Sequence, residues 1–234
     1  MIAPHGGKLV DLTASEKKRA DLLSEFSDLH SIIVNKELAQ EIDNIAQGVF
    51  SPLEGFHIRS DFESVLSHGR LASDIPWTIP IVLDIDKSEV DGTRVGDDIG
   101  LRLNGEPIAI MTIDESYSYD KKEFAKSVYG TTEIDHPGVA KIQNMKDTLV
   151  GGKLTFLNQI SNPYPDYTRS PKETRDLFKK KEWKSIVAFQ TRNPPHLGHE
   201  YVQKTALSMV DGIFINPLIG KKKSGDFKDD VILE

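Results

Sequence analysis

Ten consecutive residues near the end of the chain, Gln190-Thr-Arg-Asn-Pro-Pro-His-Leu-Gly-His199, hold a dense set of groups that can grip an anion. Arg192 is a permanently charged planar fork that matches two oxygens of a tetrahedral oxyanion. Gln190 and Thr191 add neutral hydrogen-bonding groups beside it. His196 and His199 are three apart, a spacing that on a helix puts both rings on one face, where they can point at one phosphate. Gly198 between them removes a side chain and lets a planar or bulky ligand approach the backbone. Such a set suits nucleotidyl transfer. An oxyanion attacks the α-phosphate of a nucleoside triphosphate, pyrophosphate departs, and imidazole and backbone donors stabilise the charge that builds on the phosphate oxygens. A nucleophile that is already ionised needs no general base.

The elements that must position these groups are legible on either side. Ser185 to Phe189 is a continuous apolar run, as expected of a strand buried on both faces of a parallel sheet. Pro195 to Val210 reads as a helix, with Leu197, Tyr201, Ala206 and Val210 as apolar positions, Asn193 as its predicted cap and Pro194 and Pro195 stiffening its start. Gly212 closes it, and Ile213 to Ile219 resumes as strand. The whole has the length of a strand, helix, strand crossover, roughly 30 residues or more. The ten residues therefore sit at the carboxyl edge of a parallel strand, where open α/β sheets bind their ligands. There the first-turn N–H groups and the dipole of the helix favour an anion.

Upstream, apolar residues at helical spacing predict a helix over Ser15 to Ile33, capped by Ser15, and a second over Asn35 to Ala46. Phe50 to Phe56 reads as a turn broken by Pro52 and Gly55. From Trp77 to Ile113 the texture is that of strands, with Asn104-Gly105 as a hairpin signal. The stretch from Asp114 to Asp147 is poorly periodic and contains Asp135-His136-Pro137-Gly138 as a breaker. Leu149 to Leu157 is a further strand. Asn162 to Thr174 is rich in Pro and polar residues and reads as a linker, and Ser170 with Pro171 opens a helix through Phe178. The expected organisation is two domains of mixed class, α+β then α/β, over residues 1–168 and 169–234.

Composition narrows the partners. Twenty-nine Lys and Arg against 36 Asp and Glu give a net charge of -7, so the phosphates of nucleic acid or an anionic membrane repel the chain as a whole. No nucleic-acid and no membrane partner is expected, and any bound anion must be held by a local site. The absence of cysteine removes disulfides, thiolate metal sites and cysteine nucleophiles. No apolar run has signal-peptide length, which predicts a cytoplasmic protein. A zinc reading of His196 and His199 lacks a third ligand and the His pair at i, i+4 of zincins. Lys221-Lys-Lys223 beside Ser224-Gly225 is no P-loop, because position 215, where Walker A needs Gly, is Ile. His5, His30, His57, His68 and His136 are scattered and receive no role. The plain alternative for residues 190–199 is a capped helix whose polar groups satisfy their own backbone.

The longer frame Gln-x-Arg-Asn-Pro-x-His-x-x-His resembles the ATP sulfurylase (sulfate adenylyltransferase) family. Ala3 to Gly7, Phe50 to Phe56, Trp77 to Asp86, Ile108 to Ile113, Asp135 to Gly138, Val150 to Leu154 and Asn216 to Asp226 also look like family blocks in family order, so the likeness covers essentially the whole chain. It implies a PUA-like mixed β domain, followed by the first part of a doubly wound nucleotidyltransferase domain of the His-x-Gly-His type. The implied reaction is MgATP with sulfate to adenosine 5′-phosphosulfate and pyrophosphate, without a covalent intermediate. The catalytic set carried over is Thr191, Arg192, Asn193, His196 and His199. Gln190 and Arg192 would hold sulfate; Gln190, Thr191, Asn193 and the loop cation Lys223 would contact ATP; His196 and His199 would stabilise the α-phosphate transition state. Mg2+ is implied with ATP, no resident metal is, and a homo-oligomer is compatible with the likeness. One departure is the absence of the family's Gly-Arg-Asp-His segment, which predicts a catalytic domain cut short and little activity from these residues alone. The competing expectations are another His-x-Gly-His nucleotidyltransferase acting on a phosphate ester, and a non-catalytic fragment that keeps the anion-binding turn.

Overall fold

A computed structural model describes residues 2–220 and 225–234. It divides into one unit of residues 3–172 and another of residues 173–234 with the N-terminal Ile2.

In the first unit, α1 (Glu16–Glu25) is capped by Ser15, whose hydroxyl accepts from Lys18 N at 3.4 Å. The expected continuation to Ile33 does not occur. A 3-10 turn at Phe26–Asp28 follows, and Ser31–Ile33 becomes β1. Sheet pairing overrides the helical spacing here. Phe26 is buried against Gly100, where a Cβ would stand 2.6 Å from its ring, and Ser31 pairs with that same glycine. α2 (Lys36–Ala46) matches its expectation, with Asn35 Oδ1 accepting from Leu38 N at 2.8 Å. β2 (Gly55–Phe56) ends the Phe50 to Phe56 turn. α3 (Arg59–His68) has no side-chain cap and no clear signal in the sequence.

Of the apolar run 78–85, only β3 (Leu83–Ile85) is strand. Pro80 cannot donate to a ladder. β4 (Asp98–Leu103) and β5 (Glu106–Ser118) form the expected hairpin. Asn104 and Gly105 both have positive φ, 51° and 88°, as a two-residue primed turn requires. α4 (Lys121–Tyr129) and α5 (Pro137–Asn144) fill the stretch that lacked a clear period. The supposed breaker at residues 135–138 is a helix start, with Pro137 at the first position and His136 as cap. β6 (Thr148–Phe156) completes the sheet, ordered β1-β4-β5-β6-β2 with β3 also on β6; only β1 and β4 run parallel.

α2 packs Ile42 and Ile45 against Ile99, Leu101, Met111 and Phe156 of the sheet, all buried. Phe62, Tyr117, Phe124, Val139, Ile142 and Leu149 form a second cluster, which is what holds α3, α4 and α5 in place. Beside that cluster His57 is 2% exposed and neither ring nitrogen has a partner. Its carbonyl accepts from Tyr117 Oη at 2.8 Å. Burial pushes the His57 imidazole down to about 4.

The helix predicted from Ser170-Pro171 is α6 (Pro171–Lys180). In the second unit β7 (Ile186–Thr191) and β8 (Gly212–Pro217) are parallel, from Ile186 opposite Gly212 to Thr191 opposite Pro217, and α7 (Leu197–Leu207) connects them. α8 (Asp229–Leu233) ends the chain's described part. The strand, helix, strand order is as expected, but β7 is not buried on both faces. Ala188 and Gln190 are exposed between half-buried neighbours, because among the described residues β8 is its only sheet partner. Phe178 packs on Trp183 and Phe214 at ring separations of 5.8 and 5.7 Å.

Candidate active site

β7 delivers the chain to Thr191, and α7 begins six residues later at Leu197. Asn193, the expected cap, does not cap the helix. Its N–H donates to Thr191 Oγ1 at 3.1 Å, and that hydroxyl donates to Asn193 O at 3.2 Å, so the pair closes a small turn on itself. The two prolines that follow move the first helical residue on to Leu197, and the cap falls to His196 in extended conformation. His196 Nδ1 accepts from Gly198 N at 3.1 Å. A neutral imidazole that accepts at Nδ1 carries its proton on Nε2. The backbone thus sets the tautomer, and His196 presents an Nε2–H donor outward.

His199 stacks on His196, with ring centroids 3.8 Å apart and planes 25° from parallel, while its other side meets Phe189 edge-on at 5.5 Å. Gly198 has a structural use here. A Cβ at that position would lie 3.0 Å from Cε1 of the capping ring, so the small residue makes room for the cap itself.

Arg192 is already engaged. Nη2 donates to Asp226 Oδ2 at 2.6 Å, with the side chains 36% and 13% exposed, whereas Nε is buried without a partner. Leu218 N donates to Thr191 O at 2.8 Å, which ties the segment after β8 to the same corner. Gln190 is exposed at the end of β7 beside Asn216. The structure therefore brings together His196 with His199 and Thr191 with Asn193, and it pairs Arg192 with a carboxylate. Lys223 lies outside the described residues.

Two further polar residues bear on this corner, one by contact and one by its place on α7. Asp226 is 34 positions from Arg192, a separation no local pattern reveals. Gln203 is four residues after His199, and its Nε2 is buried without a partner. The spacing 196, 199, 203 could have singled it out as a third polar residue on one helix face. Among the described residues no group of three or more His, Asp or Glu could hold a metal ion. No helix among them is long and apolar enough to cross a membrane.

Residues 2–159 match the family model of a PUA-like domain, and residues 165–234 match the ATP-sulfurylase model. The sulfate adenylyltransferase of Hyperthermus butylicus is 53% identical over 231 residues, covering 99% of this chain and 59% of that protein. The one from Pyrococcus abyssi is also 53% identical, over 99% of this chain and 60% of its own length. That of Halothermothrix orenii is 42% identical, over 99% and 61%. The chain thus spans about three fifths of the length of these relatives. Among solved structures, the hexameric APS kinase from Thiobacillus denitrificans matches with a TM-score of 0.75 at 24% identity, over 97% of this chain and 41% of that one; a likeness at that identity speaks for the fold alone. Residues 2–159 thus belong to the PUA-like domain family and residues 165–234 to the ATP-sulfurylase family, with sulfate adenylyltransferases as relatives along nearly the whole chain.

Proposed function

We propose that a protein carrying this chain transfers the adenylyl group of MgATP to sulfate, giving adenosine 5′-phosphosulfate and pyrophosphate. A sulfate oxygen bonds to the α-phosphorus, the bond from that phosphorus to the bridging oxygen breaks, and pyrophosphate leaves with the electron pair. Sulfate is ionised throughout, so no proton has to be removed from it. The observation that carries this reading is the stacked pair of His196 and His199 at the start of α7, with the proton of His196 directed to Nε2 by the backbone. The Nε2–H of His196, with the His199 ring stacked behind it at a helix N-terminus, meets the charge that develops on the α-phosphate.

In the same reading Gln190 and Arg192 hold sulfate. The free Nε of Arg192 can donate to a sulfate oxygen while Nη2 keeps Asp226. Thr191 and Asn193 line the path of the ATP phosphates, with Gln190 and Lys223 contributing to the same ligand. Mg2+ is assigned to the triphosphate it accompanies, whose oxygens are the hard ligands it prefers. The reading also carries a PUA-like domain over residues 1–168 and the beginning of a doubly wound His-x-Gly-His nucleotidyltransferase domain over 169–234, in a cytoplasmic protein whose subunits associate with one another.

The test is sulfate-dependent release of pyrophosphate from MgATP by a protein of the relatives' length that carries these residues. Arg192→Ala is expected to abolish the dependence on sulfate. Pyrophosphate release that is indifferent to sulfate, or transfer to a phosphate ester in its place, would remove the proposal.

A further inference from the structure

His196, His199 and Gln203 follow one another along the start of α7 at intervals of three and four residues. The stacked His196 ring and the edge of Phe189 fix the plane of the His199 ring, yet nothing fixes its proton, since Nδ1 is buried and has no partner. One turn further on, Gln203 Nε2 is buried and has none either, so the two atoms stand unbonded to each other. Buried polar atoms in folded proteins are nearly always hydrogen bonded. Helical side chains lean toward the N-terminus over the residue four positions back, which carries the Gln203 amide toward His199. The two atoms are chemically complementary, because an amide N–H only donates and an unprotonated imidazole nitrogen accepts. Arg192 Nε, a third buried atom without a partner, is itself a donor and cannot satisfy the amide.

We propose that Gln203 is a positioning residue of this site, its side-chain amide turning to donate to His199 Nδ1 and so holding the His199 proton on Nε2. The two histidines then present the same tautomer by different means, His196 through the backbone N–H of Gly198 and His199 through a side chain. The tautomer matters because a ring protonated on Nδ1 would turn the Nε2 lone pair, and not an N–H, toward a phosphate gaining negative charge. The inference rests on the anion-facing role given to His199 above.

The experiment reads the tautomer without any ligand. Long-range proton–nitrogen spectra of the imidazoles in the 234-residue chain, assigned with a His199→Gln chain, should show His199 protonated on Nε2. Gln203→Glu replaces the donor by an acceptor and should move the proton to Nδ1. Gln203→Leu removes both and should give a mixture. An unshifted Gly198 amide signal in both variants reports that the cap of α7 is intact. The same His199 tautomer in all three chains overturns the proposal, as does a tautomer that responds to Arg192→Lys and not to the Gln203 substitutions. A chain with the expected tautomer changes but no sulfate-dependent chemistry keeps the role of Gln203 and discards adenylyl transfer. Sulfate-dependent transfer with an indifferent tautomer does the opposite.

Discussion

Helices α5 and α7 both start on a His-x-Gly tripeptide, and in both the histidine is the cap. His136 Nδ1 accepts from Gly138 N at 3.2 Å, and His196 Nδ1 accepts from Gly198 N at 3.1 Å. What differs is the company of each ring. His136 leans on Tyr129 at 4.7 Å, and a Cβ at Gly138 would lie 2.3 Å from that tyrosine ring, so this tripeptide is absorbed into packing. His196 leans on a second histidine, itself buried at Nδ1 without a partner. The local chain code is the same at both places. Whether it serves stability or chemistry depends on what the rest of the fold sets against the outer edge of the imidazole.

The comparison breaks most visibly in turnover. If the α7 cap is the functional one, His196→Ala should slow adenylyl transfer by on the order of 10² to 10³, whereas His136→Ala should leave it within about twofold. Equal losses in a rate assay would erase the distinction. His57 extends the series to a ring with neither nitrogen bonded. Its imidazole is neutral in the fold, pushed by burial to about 4 from the ordinary 6.5, so the unfolded chain binds the extra proton first. The first unit should keep its full stability above pH 6.5 and lose about 3 kcal/mol as pH falls through 4. Urea denaturation at pH 7.5 and 4.5 would show this, and His57→Met should flatten the difference. A smaller effect separates the caps themselves. His136→Ala should cost about 1 kcal/mol of stability, and His136→Asn should restore most of it, since Asn is among the best N-caps. His196→Asn should likewise preserve α7 by circular dichroism yet fail to restore turnover.

How far the sequence reaches follows the same division. α2 and the β4–β5 hairpin are written in local terms, a cap with a helical stripe and an Asn-Gly turn, and both stand as read. So does the order β7, α7, β8. The end of α1 is not legible, because it is decided by the fit of Phe26 over Gly100, some seventy residues away in sequence. Residues 135–138 read as a breaker because a histidine cap before a proline lacks the usual Ser, Thr, Asp or Asn mark. The same preference puts the α7 cap on Asn193, which is already used in the turn with Thr191. The density of anion-binding groups in residues 190–199 is readable. The Arg192 to Asp226 pair is not, since a long-range contact leaves no local trace.

At the opposite end of β7 from the candidate site, Asp211 accepts from Lys184 N and Ser185 N at 2.8 Å each and from Ser185 Oγ at 3.0 Å. The backbone N–H groups of Ser185 and Lys184 hold its carboxyl below the usual carboxylate range. This clamp joins the residue before β8 to the residue before β7, and so it locks the alignment of two strands that have few other neighbours. A slip of a single position would turn Phe189 away from His199 and swap every side chain to the other face. The accuracy of the corner at Thr191 is therefore governed from about six residues away, by an aspartate that touches none of the groups it keeps in line.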